Sequence, residues 1–246
     1  MIHSAILLAA GRGKRQRPFT DKIPKPLLTV NGRTTLDTIL CAVKRAGIER
    51  ACLITHHLEE QILQFVGDGS QWNLEVSYAH QNELRGNGDA LLSVPKTWIR
   101  QESVMVVATD YLLEENVLSE LVQAHERLQA DITMSIKELP TNELVSRSSV
   151  EVDESWRVKR IIEKPTLTEI MSPYAASILF IFPPEIWKYL RLISPSARGE
   201  IEMQTAIDRM LKDGFRAYSV LQPAPLEWDP ALHNIGSGNT LSREHS

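Results

Sequence analysis

The chain has 246 residues, of which 43% are hydrophobic and 24% charged, a composition that excludes intrinsic disorder and suffices for one sizeable core. Its 27 basic and 31 acidic residues leave a formal charge of −4, without the clustered basic surplus that general binding to nucleic-acid backbones needs, although a local basic pocket for a small anion remains open. Two cysteines, Cys41 and Cys52, cannot form a disulfide framework and read as small buried hydrophobes among apolar neighbours.

The apolar stretch from Ala5 to Ala10 is short and is followed, not preceded, by Arg12-Gly13-Lys14-Arg15, the reverse of a secretory signal. No window approaches the ~20 apolar residues of a membrane span. A cytoplasmic protein without membrane or nucleic-acid partners is expected.

Along the first half, short apolar runs alternate with helical patterns. Ser4 to Ala9 reads as a buried strand. Thr35 to Ala46 carries Leu36, Ile39, Leu40 and Val43 at helical spacing and stops at Gly47. Strands follow at Ala51 to Thr55, Leu74 to Tyr78 and Ser103 to Ala108, with helices at Leu58 to Val66, from Asp89 to Val94, and at Glu115 to Leu128. Such alternation with short loops predicts an α/β domain, its parallel sheet covered on both faces. After Ala130 the pattern changes to closely spaced strands, partly antiparallel, at Ile132 to Lys137, Val150 to Val152, Val158 to Ile162 and Ala175 to Phe182. Helices at Pro184 to Leu190 and Ile201 to Leu211 and a strand at Arg216 to Leu221 complete the chain, with no repeat or linker-like segment.

The strongest local signal is Leu8-Ala-Ala-Gly11-Arg-Gly13-Lys-Arg15-Gln-Arg17-Pro18, directly after the first strand. Glycines there let backbone N–H groups approach an anion closely, at the edge of an α/β sheet where ligands bind. Spacing excludes two common phosphate loops. A Walker A loop would need glycine at Leu8 and Ser or Thr at Arg15; a dinucleotide fingerprint would need glycine at Gln16 and a helix after it. What remains is a loop presenting Arg12, Lys14, Arg15 and Arg17, followed by Pro24-Lys25-Pro26-Leu27, whose prolines predict an extended, stiffened segment carrying Lys25.

Together these segments resemble the signature of the sugar-phosphate nucleotidyltransferases (nucleoside-diphosphate-sugar pyrophosphorylases), the group that contains glucose-1-phosphate thymidylyl- and uridylyltransferases. Further matches follow in the family's order: Gly67-Asp-Gly-Ser70, Gln81 with Gly86-Asn-Gly-Asp-Ala90, Thr109-Asp110, Glu163-Lys164-Pro165, Gly199-Glu200-Ile-Glu202 and Asn234-Ile-Gly236. With the element order, the resemblance implies a single Rossmann-like domain with a mixed, mainly parallel central sheet over residues 1–246. Residues 1–130 would form its nucleotide-binding half, and 131–246, with a small antiparallel part, the sugar-phosphate-binding half. The chain ends soon after the last motif, so no appended second domain is expected. Homo-oligomers occur in the family, but no interface can be read from these residues.

The reaction implied is attack of a sugar 1-phosphate oxygen on the α-phosphorus of a nucleoside triphosphate, with dTTP or UTP favoured, releasing pyrophosphate and giving a nucleoside-diphosphate sugar. Both substrates are anionic, so the chemistry needs cations and in-line positioning more than a general base. By the resemblance, Ala10, Gly11 and Gly13 wrap the triphosphate, and Arg15 and Lys25 stabilise charge on its phosphoryl groups. Gln81 and Gly86 read the base, Glu163 and Lys164 hold the sugar and its phosphate, and Asp110 and Asn234 hold Mg²⁺. Asp229 is the other candidate for the second metal ligand.

Several positions depart from the family pattern. Thr109 stands where glycine is usual, Asn234 where aspartate is usual, Ser149 for a sugar-lining glycine, Ile178 in the sugar-facing strand, and Thr205 for an aspartate. They imply an unusual or smaller acceptor, or a weakened sugar site. They also motivate an alternative, a catalytically silent relative that binds nucleotide or sugar phosphate as a regulator. A glycosyltransferase would want an Asp-x-Asp metal pair, and Asp110-Tyr111-Leu112 lacks its second acid. His56 and His57 read as residues preceding a helix, His233 as a neighbour of Asn234, and Trp72, Trp98, Trp156, Trp187 and Trp228 as packing.

Overall fold

An apolar run without alternation must bury both strand faces, and this rule builds the centre of the molecule. A computed structural model of the chain describes residues 2–30 and 32–223 and the backbone of 226–227. In chain order it contains β1 (Ser4–Leu8), α1 (Thr35–Arg45), β2 (Arg50–Thr55), α2 (Glu59–Val66), β3 (Glu75–His80), α3 (Asn87–Leu92), β4 (Val104–Ala108), α4 (Val117–Leu128) and β5 (Ile132–Glu138). Then come a hairpin of β6 (Ser148–Val152) and β7 (Val158–Glu163), β8 (Tyr174–Phe182), α5 (Ile186–Leu192), α6 (Met203–Lys212) and β9 (Ala217–Leu221). Very short strands and single turns lie between them.

The main sheet has seven strands in the order β9-β5-β8-β4-β1-β2-β3. All neighbours are parallel except β8, which runs against both β4 and β5. Successive residues of the central strands serve opposite apolar layers. Ile6, Ile54, Val106 and Phe180 enter one, while Leu7, Leu53, Val107 and Leu179 enter the other. Each fully buried side chain of this size contributes roughly 1.5–3 kcal/mol. The helices supply the outer walls: α1 buries Leu36, Ile39, Leu40 and Val43, and its N-cap Thr34 accepts a hydrogen bond from Asp37 N at 3.1 Å.

The expected mixed sheet is present, and so is the small antiparallel part, formed by β6 paired with β7. Between Ala176 and Phe180 the register of β8 against β5 shifts, and Ile178 sits in that irregular stretch with its N–H donating to Tyr111 Oη at 3.3 Å. Two expectations are corrected. Pro24 is extended, but Lys25–Leu27 closes into a 3₁₀ turn, because a proline early in such a turn sits where no N–H is required. Cys41 is only half-buried, and its sulfur accepts from Arg33 Nη2 at 3.3 Å, whereas Cys52 is fully buried. The Gly67-Asp-Gly-Ser70 motif serves the fold: a Cβ on Gly69 would lie 2.3 Å from Val76 Cγ2 and 2.5 Å from Leu74 O in the turn between α2 and β3. Among the described residues no helix is long and apolar enough to cross a membrane.

Candidate active site

Because β1 has β4 on one side and β2 on the other, the chain leaves it in opposite directions and opens a crevice at the strands' carboxyl ends. A cavity of about 330 Å³ lies there. Ala10, Gly11, Lys25, Gln81, Gly86 and Asp110 all line it, from segments widely separated in sequence. Gly11 leaves open space, since a Cβ built on it would meet nothing within 4 Å. Gly13 is required for a different reason. Its φ is +59°, and a Cβ would approach Thr20 Cγ2 to 2.7 Å. Thr20 is buried there, and its hydroxyl donates to Gly13 O at 2.8 Å.

The cations of this loop differ in their surroundings. Short 3₁₀ turns, Lys14–Gln16 and Phe19–Asp21, follow the glycines, in place of the irregular stretch expected. Arg17 pairs with Asp21 at 3.1 Å. Arg12, Lys14 and Arg15 are exposed, without a carboxylate partner among the described residues, and Arg15 and Gly13 lie outside the cavity wall.

Lys25 and Asp110 are brought together by α1. The buried Thr35 hydroxyl, at the helix start, lies 3.0 Å from both Pro26 O and Thr109 O and so ties the two turns to each other. Lys25 Nζ then donates to Asp110 Oδ2 at 2.5 Å. Thr109 takes the place of the usual glycine without a left-handed backbone; its hydroxyl donates to Leu8 O at 2.8 Å and pins the end of β4 to that of β1. Thr35 was not singled out from the sequence, because its partners are main-chain carbonyls that no side-chain motif announces.

Of the residues expected to read a base, Gln81 is buried, and its amide nitrogen donates to Gly86 O at 3.2 Å and to Asp89 Oδ2 at 2.9 Å. Asp89 is in turn held by Arg85 Nη2 at 3.0 Å. Both amide protons of Gln81 are thus engaged, which leaves its oxygen to accept from a ligand. Gly86 has φ +101°, and a Cβ there would lie 2.5 Å from Ile201 O. Its glycine is demanded by the docking of this loop on the 200–202 segment, where Gly88 N donates to Ile201 O at 2.9 Å and Ile201 N to Arg85 O at 2.7 Å.

Through that segment the residues expected to hold the sugar and its phosphate approach the cavity. Glu200 lines the cavity and accepts from Lys164 Nζ at 2.9 Å, although Lys164 and Glu163 do not line it themselves. Lys164 is left-handed (φ +47°), held by its N–H donating to Arg147 O at 2.5 Å. Arg198 pairs with Glu200 and with the buried Glu202. Lys164 keeps the Glu200 carboxyl below the usual range, while burial and then the charge of Glu202 push Glu163 up to about 7. Ile178 lines the cavity, as expected. Ser149 does not: it is fully buried and accepts from Met171 N at 3.0 Å. Thr205 is exposed on α6. Asn234, Asp229 and His233 lie outside the described residues. Among the described residues no group of three His, Cys, Asp or Glu side chains could hold a metal ion, so of the expected ligands only Asp110 stands within them, and its carboxylate is the kind of hard oxygen donor that shares Mg²⁺ with substrate phosphates.

The family model described as Nucleotidyl transferase matches residues 4–229. The UTP–glucose-1-phosphate uridylyltransferase AglF of Haloferax volcanii is 31% identical over 211 residues, 85% of this chain and 84% of that protein. A glucose-1-phosphate thymidylyltransferase of an Actinoplanes species is 29% identical over 88% of this chain and 70% of its own length. Against some other curated relatives the chain spans about half their length. A UDP-glucose pyrophosphorylase solved with UDP-glucose shares the fold, with a TM-score of 0.78 at 22% identity over 89% of this chain and 90% of that one.

Proposed function

The chain belongs to the nucleotidyl transferase family, and on that premise we propose that it transfers a nucleotidyl group from UTP or dTTP to a sugar 1-phosphate, giving a nucleoside-diphosphate sugar and pyrophosphate. The observation that carries this reading is one cavity that joins Gly11, Lys25 and Asp110 to Gln81 on one side and to Glu200, with Lys164 behind it, on the other.

In the transfer, a sugar-phosphate oxygen forms the new bond to the α-phosphorus as the bond to the β-phosphate bridging oxygen breaks, and pyrophosphate leaves with that electron pair. The attacking oxygen is already largely deprotonated at neutral pH, so the protein's work is positioning and charge neutralisation. Lys25 meets the triphosphate from the cavity wall, and Arg15, exposed on the turn after the glycines, adds a second cation. Lys164 and Arg198 receive the acceptor's phosphate by exchanging Glu200 for it. Asp110 would hold Mg²⁺, which when bound offsets negative charge on the triphosphate. Asn234 is the proposed second ligand.

The committed amide of Gln81 supports the base preference. Its free oxygen accepts the N3–H of uracil or thymine, whereas cytosine presents an unprotonated nitrogen there. Between uracil and thymine only a methyl group differs, worth ~1–3 kcal/mol. Ile178 adds an apolar side chain to the cavity that Glu200 also lines, which favours a compact acceptor. The named relatives are enzymes, which leaves the silent-regulator reading without support. The test is a matrix of nucleoside triphosphates against sugar 1-phosphates with Mg²⁺, scored by pyrophosphate release. The expected result is turnover with UTP or dTTP; no release with any pair overturns the proposal.

A further inference from the structure

Between β2 and α2 the chain places two histidines side by side, and each donates to a different part of the nucleotide site. His56 Nδ1 lies 2.8 Å from Gln81 O, and His57 Nε2 lies 2.9 Å from Thr20 O. A carbonyl oxygen only accepts, so each ring must carry its proton on the named nitrogen. Where the chain leaves β2, successive side chains point to opposite sides, so adjacent histidines can reach different neighbours. The next residue, Leu58, adopts φ +52° and ψ +35°, a left-handed conformation that is unfavourable for a leucine and turns the chain into α2.

The two contacts end in different functions. His56 holds the main chain of Gln81, whose N–H also donates to Thr55 O at 2.9 Å. The ring of His56 rests against that of His80 at 5.4 Å between centroids. His57 holds the main chain of Thr20, the residue that packs on Gly13 and donates to its carbonyl. A second strut from α2, Gln61 Nε2 to Lys22 O at 2.9 Å, steadies the same turn.

We propose that His56 and His57 are positioning residues that form a bracket across the nucleotide site, His56 setting the base reader and His57 the triphosphate loop. Neither lines the cavity, and neither takes part in the chemistry. Their spacing along one rigid turn fixes the distance between base and phosphates, a distance every nucleoside triphosphate shares. The inference rests on the function proposed above.

Equilibrium binding of UTP, CTP and UMP to the full-length chain with Mg²⁺, with no acceptor present, tests it. The ratio of UTP to CTP affinity reads the base, and the ratio of UTP to UMP affinity reads the phosphates. His56→Ala is expected to lower the first ratio about five- to tenfold and leave the second within about twofold; His57→Ala is expected to do the reverse, each losing one hydrogen bond's worth of order. His56→Asn and His57→Gln, which return an amide N–H near the lost nitrogen, should recover most of the loss. Thr20→Val, which keeps its shape but loses the bond to Gly13, should reproduce the His57→Ala pattern and carries the same test if that variant does not fold. Both ratios moving together in both variants, or neither moving, overturns the bracket. A wild-type protein that prefers UTP yet transfers to no sugar 1-phosphate overturns the function and not the bracket; one that binds none of the three nucleotides overturns both.

Discussion

Lys25 Nζ sits 2.5 Å from Asp110 Oδ2, although the two residues are separated by 85 positions in the chain. The pair is shielded, Lys25 at 13% and Asp110 at 32% side-chain exposure, so its charges feel each other strongly. On the proposed function, Lys25 would exchange this partner for a phosphate and Asp110 would exchange it for a divalent ion. Lys25→Ala and Asp110→Asn should each lower turnover by about 10²–10³, by analogy with the loss of a single charge-stabilising donor. Far-ultraviolet circular dichroism should stay native in both. Asp110→Asn should in addition raise the Mg²⁺ concentration needed for its residual activity. Full activity in either variant would place the chemistry elsewhere.

Thr35 makes that pairing possible from behind, with one hydroxyl between Pro26 O and Thr109 O. Thr35→Val keeps the volume and leaves two main-chain carbonyls without this donor, a loss of about 1–3 kcal/mol in denaturant unfolding. Turnover should fall by about tenfold, chiefly in kcat, because Lys25 and Asp110 lose their common anchor while the cavity wall stays intact. A stability loss without any change in kcat would make Thr35 a fold residue only.

Two glycines of the cavity should respond oppositely to alanine. Gly86→Ala pushes a methyl to 2.5 Å from Ile201 O in a left-handed backbone, so it should cost about 1–3 kcal/mol of stability and weaken nucleotide binding with it. Gly11→Ala meets nothing in the protein and should fold as stably as the wild type, yet bind nucleoside triphosphate more weakly by occupying ligand space. Thermal midpoints and UTP titrations of the two variants separate the effects; equal stability losses would refute the distinction.

Glu163 gives a pH signature. Its carboxyl is pushed up to about 7 in the folded chain by burial and by Glu202, from an ordinary value of 4.5. Between those limits the native state keeps a proton that the unfolded state has released, so this group's contribution to stability falls as pH rises through that window. Denaturant unfolding from pH 4.5 to 7.5 should therefore decline less steeply for Glu163→Gln than for the wild type. Parallel profiles would show that Glu163 titrates ordinarily.

The sheet was legible because its evidence is local. Runs such as Ala51 to Thr55 have one way to satisfy burial on both faces, and the predicted strands fall within a residue or two of those observed, although Ser148 and Ser149 extend β6 beyond its apolar part. Lys25, Gln81 and Asp110 were legible as motif residues that meet in one cavity. The turn at Lys25–Leu27 was not, since a proline fits extended backbone and the start of a 3₁₀ turn equally well. Thr35, His56 and His57 escaped for a common reason: each acts on a main-chain carbonyl far along the chain, and a carbonyl has no residue identity to recognise. The carboxyl of Glu163 depends on burial and on Glu202, neither of which the Glu-Lys-Pro tripeptide encodes.

On the proposed function, the seam between residues 85–88 and Ile201 would make nucleotide and acceptor neighbours through a single stretch of backbone. A shift that a base imposed on Gly86 would then reach Glu200, one residue from the seam, and thermodynamic reciprocity would require the acceptor to act back on the base with the same strength. Substrate addition is then a conversation in both directions, and an acceptor's fit will depend on which nucleotide already occupies the other half.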